Sequence, residues 1–196
     1  MNKTLVIVDP QTDFVTGTLA VDDAEEIFPY INSILGNYDT IIVTMDWHPE
    51  NHKAFAINNP HKKLYDVINL NGIEQILWPA HCVQNTVGAT VFKDLKVNPD
   101  FRVLKGMNKE YHPYGAFKDG DGSYTELNRI LINNNIKELD TVGLATDYCI
   151  KTTVLDGLIE GYKINLLTKG IRAVNINPYD GQDAIDEMEI NGAIII

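Results

Sequence analysis

Four largely apolar runs, Thr4–Val8, Thr40–Met45, Leu139–Leu144 and Lys163–Thr168, constrain this chain more than any other feature. They are continuous, without the apolar/polar alternation of a strand that has one wet face. Such runs mark strands covered on both sides. Phe101–Leu104 and Ala193–Ile196 read as two shorter strands. Helical patterns lie between them. Asp22 is placed to cap a helix whose Ala24, Ile27, Ile31, Ile34 and Leu35 share one face, and Glu25 completes a capping box. Ser123–Asn134 repeats the pattern through Leu127, Ile130 and Leu131. A third helix spans about Tyr148–Glu160 and ends at Gly161, and a fourth lies near Gln182–Glu189. Strand–helix–strand order of this kind predicts an α/β fold of three layers, α/β/α, with a mostly parallel central sheet. The expectation is a single domain over residues 1–196.

The length of 196 residues suffices for one sizeable core, and 44% apolar with 22% charged residues is an ordinary globular balance. The net charge of −11 repels phosphate backbones and anionic bilayers, which argues against nucleic acid and membrane surfaces as partners. No apolar run approaches the roughly 20 residues that span a bilayer. Leu5–Val8 is too short for a signal-peptide core, and Asp9 interrupts it. With only Cys82 and Cys149 present, reduced thiols and a cytoplasmic location are expected.

Open parallel sheets bind ligands beyond the carboxyl ends of their strands. Asp9 ends the first run, Asp46 the second, Lys105 follows the short third, and Thr146–Cys149 follows the fourth. Residues 47–100 show little regular pattern and read as a long, partly ordered excursion over the same rim. Asp46 and His48, two apart at a strand end, can point the same way, and His52 and His81 sit in nearby polar-aromatic segments. A carboxylate with imidazoles suits zinc, iron or manganese, although turn histidines with ordinary partners give the same spacing. Cys149 stands where a buried strand hands over to a helix. There the helix dipole would lower its thiol pKa and free amides could bind an oxyanion, but a small buried core residue also fits. Asp9 could serve as a general base or cap a loop. Lys105 could pair with a buried carboxylate or snorkel to solvent.

Taken together and in order, the segments VIVDPQTDF, TMDWHPENHKAF, WPAHCVQNTVGA, LKG and GLATDYCIKTTVLDG resemble the isochorismatase-like hydrolase superfamily, and within it the nicotinamidase/pyrazinamidase family. The likeness runs from Leu5 to about Val174. It implies the isochorismatase-like hydrolase fold and a catalytic triad of Asp9, Lys105 and Cys149. It implies one divalent metal, zinc foremost with iron or manganese as alternatives, on Asp46, His48 and His81, with His52 in the remaining ligand position of the family. It further implies a cis peptide at Leu144–Ala145, an oxyanion hole from the backbone amides of Ala145 and Cys149, and a ring-binding wall of Phe14, Trp78 and Tyr114. The implied activity is hydrolysis of nicotinamide to nicotinate and ammonia through a cysteine thioester, with pyrazinamide and other pyridine carboxamides as related substrates. Compact members are often homo-oligomers, and the resemblance leaves the oligomeric state of this chain open. Two features depart from the pattern: relatives often carry Tyr-Ser-Ala-Phe where this chain has Tyr114-Gly115-Ala116-Phe117, and His112 has no family role. The competing readings are another amide hydrolase of the superfamily, which would generally lack the Asp-x-His run, and a metal-binding or redox module on Cys82 and Cys149. No Cys-x-x-Cys supports the second of these.

Overall fold

The computed structural model describes residues 3–196. In chain order the regular elements are β1 (Thr4–Val8), α1 (Thr12–Val15), α2 (Ile27–Ile34), β2 (Thr40–Asp46), β3 (Val67–Leu70), β4 (Ile73–Ile76), β5 (Phe101–Lys105), α3 (Glu126–Asn133), β6 (Glu138–Leu144), α4 (Lys151–Ile159), β7 (Lys163–Arg172), α5 (Asp180–Ile190) and β8 (Ile194–Ile195). Six strands form one sheet in the order β5-β2-β1-β6-β7-β8, and every pairing in it is parallel. The strand order reverses beside β1, whose neighbours are β2 and β6. The crevice between β1 and β6 is therefore the topological switch point at which such sheets bind ligands.

The two faces of the sheet bury separate cores. Leu5, Ile7, Val43, Met45 and Leu144 pack with Phe14, Ile27, Phe28 and Ile31 from α1 and α2. Val6, Val8, Ile42 and Val103 pack on the other side with Leu127, Leu131, Val154 and Met188 from α3, α4 and α5. All five residues of β1 are buried, which is why its sequence carries no polar alternation. The three-layer expectation holds.

Two local expectations do not hold. Asp22 does not cap a helix. The chain instead enters α2 through a 3₁₀ turn, Ala24–Glu26, preceded by Asp23 in the left-handed region at φ 55°, with no side-chain cap. Pro29 lies in the first turn of α2 and has no N–H to donate, which removes one of the bonds a regular start would use. The 47–100 excursion also holds more order than its pattern suggests. β3 and β4 form an antiparallel hairpin joined by Asn71-Gly72, both at positive φ (53° and 90°). An Asn-Gly pair at that position is the strongest short-range hairpin signal a sequence can give.

The excursion is sewn to the end of β1. Thr12 and Asp13 donate their amides to the carbonyls of Thr90 and Gly88 at 2.9 and 3.0 Å, and Phe92 donates to Pro10 at 2.8 Å. The Gln11 side chain donates to the carbonyls of Ala89 (3.0 Å) and Asp46 (2.7 Å) and accepts from the Asp46 amide at 2.8 Å. The Asp13 carboxylate accepts from the Cys82 amide at 2.7 Å. Residues 82–92 are thereby fixed to the segment that leaves β1.

Candidate active site

Register brings the charged residues together. Asp46 and Lys105 are ladder partners at the ends of β2 and β5, so their side chains leave the sheet on the same face. Asp9 follows β1 with φ 46°, a left-handed turn that ends the strand abruptly. Lys105 is fully buried and lies between two carboxylates, 2.9 Å from Asp9 Oδ2 and 2.5 Å from Asp46 Oδ1. Its Nζ also reaches Cys149 Sγ at 3.7 Å. One oxygen each of Asp9 and Asp46 and the sulfur of Cys149 lie within 4.8 Å of one another. Thr44 holds Asp9 in place: its hydroxyl donates to Asp9 Oδ1 at 2.7 Å and accepts from the Asp9 amide at 3.2 Å.

The electrostatics follow from burial set against pairing. Burial raises the Asp9 carboxyl above its ordinary value, with the Lys105 ammonium opposing and the Asp46 charge adding to the rise. Burial would raise Asp46 too, but Lys105 and His48 hold it well below the usual carboxylate range. Lys105 pays for burial on its own account, yet Asp46 and Asp9 hold its ammonium well above the ordinary range. The Cys149 thiol differs from the sequence expectation of a lowered pKa. Burial pushes it well up and Lys105 only partly compensates, so the resting form is the thiol. Cys149 sits in a π-helical turn, Thr146–Ile150, and the Asp9 and Asp46 carboxylates add to the rise that burial causes.

The second half of the site is imidazole. His48 is paired in parallel with Val83, its amide donating to Cys82 at 3.0 Å, and this pairing brings His81 alongside. His48 Nδ1 lies 2.9 Å from the Gly106 carbonyl and His81 Nδ1 lies 2.7 Å from that of Pro79. A carbonyl only accepts, so both Nδ1 atoms carry a proton, and Nε2 is the nitrogen left on each ring to ligate an ion. These Nε2 atoms point toward Asp46 Oδ2, at 3.5 and 4.0 Å. Gly106 is required here: it adopts φ +71°, and a Cβ would lie 2.3 Å from His48 Cε1. Burial and the neighbouring His48 hold His81 down at about 4, so it is neutral at physiological pH. His48 Nε2 is buried without a hydrogen-bond partner. A neutral His81 and the unpartnered Nε2 of His48, both turned toward one carboxylate oxygen, are a donor set for a divalent cation.

His52, the remaining ligand in the resemblance, does not fit that role. Its Nε2 is 2.9 Å from the Tyr111 carbonyl and its Nδ1 accepts from the Ala54 amide at 3.1 Å. Neither nitrogen is left for an ion. The histidine that joins His48 and His81 is His112, with one nitrogen from each within 4.8 Å of the others. Its sequence segment offers no strand end or spacing signal, so only the fold reveals it.

Asp46, His81, His112 and Cys149 meet at a pocket enclosing about 330 Å³, some of it open to solvent. Phe14, Trp78 and Tyr114 all line it, as the resemblance implies, and Ala145 lies beside Cys149. The Leu144–Ala145 peptide is cis. Tyr148 is a further wall residue that the sequence reading passed over; its ring stands edge-on to Trp78 at 4.9 Å and tilted to Tyr114 at 5.3 Å. The Tyr114 hydroxyl accepts from Trp78 Nε1 at 3.0 Å, which fixes both rings. Asp147 turns away from the pocket and ties the π-helical turn to the segment after β7, accepting from the amides of Val174 (2.9 Å) and Asn175 (2.8 Å).

The isochorismatase domain model matches residues 3–196. A nicotinamidase of Escherichia coli (strain K12) is 40% identical over 200 residues, covering 98% of this chain and 93% of that protein. Among solved structures, the Acinetobacter baumanii nicotinamidase/pyrazinamidase superposes with a TM-score of 0.95 at 35% identity, covering 100% of this chain and 95% of that one. The pyrazinamidase of Pyrococcus horikoshii in complex with zinc superposes with a TM-score of 0.82 at 31% identity, covering 100% and 99%. With a family match over residues 3–196 and a 40% identical relative covering 98% of it, this chain belongs to the isochorismatase family, with nicotinamidases among its relatives.

Proposed function

We propose that this chain is a metal-dependent cysteine amidohydrolase that converts nicotinamide to nicotinate and ammonia, and accepts pyrazinamide. The observation that carries this reading is the meeting of Cys149 Sγ, the Asp9 carboxyl and the Lys105 ammonium at the floor of a small aromatic pocket, with histidine lone pairs beside it. The pocket offers a nucleophile, a base and flat apolar walls to a carboxamide on an aromatic ring.

In this mechanism Asp9 takes the proton of Cys149 as the sulfur attacks the carboxamide carbon. A carboxyl with a raised pKa is better matched to a thiol than an ordinary one, and Lys105 and Thr44 hold it at the correct angle. The backbone amides of Ala145 and Cys149 are assigned to the oxyanion, where one donor is worth about 3–4 kcal/mol of barrier. Asp9 returns the proton to the leaving nitrogen, the C–N bond breaks, and ammonia departs from a thioester on Cys149. Asp9 then takes a proton from the water that cleaves the thioester, and the thiol is restored. Phe14, Trp78, Tyr114 and Tyr148 orient the ring and keep other water away.

Asp46 and the Nε2 atoms of His48 and His81 would hold the cation. Zinc is favoured by the zinc complex of the Pyrococcus horikoshii relative, and iron and manganese suit the same donors. When bound, the cation supplies a Lewis acid for the ring nitrogen, which orients the substrate and withdraws electron density from the ring. Cys82 and Cys149 are unpaired and buried, in keeping with a reducing cytoplasmic setting, and among the described residues no helix is long and apolar enough to cross a membrane. We read the whole chain as one hydrolase domain acting on a small molecule, with homo-oligomerisation open to measurement by light scattering.

Ammonia release from nicotinamide and from pyrazinamide, measured with and without a chelator, tests the reading. The expected result is release from both substrates that falls on chelation and returns with added zinc. A purified, folded protein that releases no ammonia from either substrate removes the assignment.

A further inference from the structure

We propose that His112 is a third imidazole ligand of the cation held by Asp46, His48 and His81, and that His52 serves by anchoring the segment that carries it. The inference rests on the metal-dependent reading above and concerns a residue to which the resemblance gives no role. Three observations carry it. First, His48, His81 and His112 each place one ring nitrogen within 4.8 Å of the others. Second, both ring nitrogens of His112 are buried and have no hydrogen-bond partner. A neutral imidazole has one donor and one lone pair to satisfy, and a native interior rarely leaves both unmet. A cation among the three rings takes the lone pair. Third, His52 donates from Nε2 to the carbonyl of Tyr111, the residue directly before His112, and so fixes where the His112 ring emerges.

The ring environment agrees. His112 lies 5.0 Å from His48 and 4.9 Å from Tyr114 between centroids, which leaves it in the pocket wall at the junction of the imidazole cluster and the aromatic wall. A side chain in that place bears on metal affinity and on the approach of a ring nitrogen. His52 is thus an outer support with both nitrogens engaged by backbone, and His112 is the inner donor.

Pulsed EPR on the protein loaded with Cu2+ counts coordinated imidazoles without reference to turnover, and chelator competition gives the affinity for Zn2+. The expected count is three in the wild-type chain and two in His112→Ala, with Zn2+ affinity lower by at least about tenfold, the scale on which even outer partners of a metal act. His112→Gln retains bulk in the wall and gives the same count if the alanine variant folds poorly, as judged by circular dichroism of the metal-free forms. A count unchanged by either substitution overturns the proposal. So does a count that falls only in His52→Ala, which would assign the third imidazole to His52. A wild-type chain that binds neither ion removes the metal centre itself, a failure distinct from a metal centre with two imidazoles.

Discussion

The two halves of the pocket floor are built from the same kind of material, buried ionisable side chains, but they close their accounts differently. Around Lys105 the charges satisfy one another: one ammonium lies between two carboxylates, and Thr44 fixes the outer oxygen of Asp9. Around His48 and His81 each Nδ1 proton is placed on a backbone carbonyl, both Nε2 atoms turn toward Asp46 Oδ2, and that of His48 has no hydrogen-bond partner. Asp46 belongs to both halves, giving Oδ1 to Lys105 and facing the imidazoles with Oδ2. The difference teaches that the acid–ammonium–thiol half balances its charges within the protein, whereas the imidazole half leaves ring nitrogens of His48 and His112 without a partner.

Four substitutions break or sharpen that contrast. Cys149→Ala has the largest expected effect: ammonia release falls by about four orders of magnitude or more, while bound metal measured by elemental analysis stays at the wild-type level. Near-normal release would refute covalent catalysis, and parallel loss of metal would show that the halves are not separable. Lys105→Met leaves Asp9 and Asp46 buried without their cation and is expected to cost about 3–5 kcal/mol in urea unfolding, with turnover lost. A cost below about 1 kcal/mol would mean that the carboxylates do not need the ammonium to stay folded. Gly106→Ala drives a Cβ into the His48 ring and disturbs the carbonyl that orients it. Metal affinity should drop about 10–100-fold with less change in the turnover of fully loaded protein. Thr44→Val removes the hydroxyl from Asp9 and should lower stability by about 1–3 kcal/mol without altering metal affinity, as chelator competition would show.

Much of the architecture was legible because burial on both faces writes itself into composition. The apolar runs at Thr4–Val8 and Leu139–Leu144 are strands for the reason that made them visible, and the polar residues beyond them, Asp9 and Thr146–Asp147, lie where the sheet opens. The bend into α2 was not legible in the same way, since Asp22 and Glu25 have the spacing of a cap while Pro29 and the left-handed Asp23 decide the outcome. The Asn71-Gly72 hairpin carried an adequate signal that was obscured by the irregularity around it. In the site, Asp9, Lys105 and Cys149 could be placed together from strand ends, because a parallel sheet brings all carboxyl ends to one edge. The choice between His52 and His112 could not be made there. It depends on which ring the Tyr111 and Ala54 backbone groups capture, a contact between segments 59 positions apart for the Tyr111 bond. The direction of the Cys149 shift likewise depends on burial against Asp9 and Asp46, which no local pattern contains.

The seam between residues 10–13 and 82–92 bears on how a substrate arrives. Lifting the 47–100 crossing off the pocket would strip Gln11 of its Ala89 partner, Asp13 of the Cys82 amide and Thr12 of Thr90 in one movement. Each bond so exchanged for water costs about 0.5–1.5 kcal/mol, and the bonds break together. The crossing consequently resists lifting, and the spacing of the rings of Phe14, Trp78, Tyr114 and Tyr148 sets the breadth of the pocket they line.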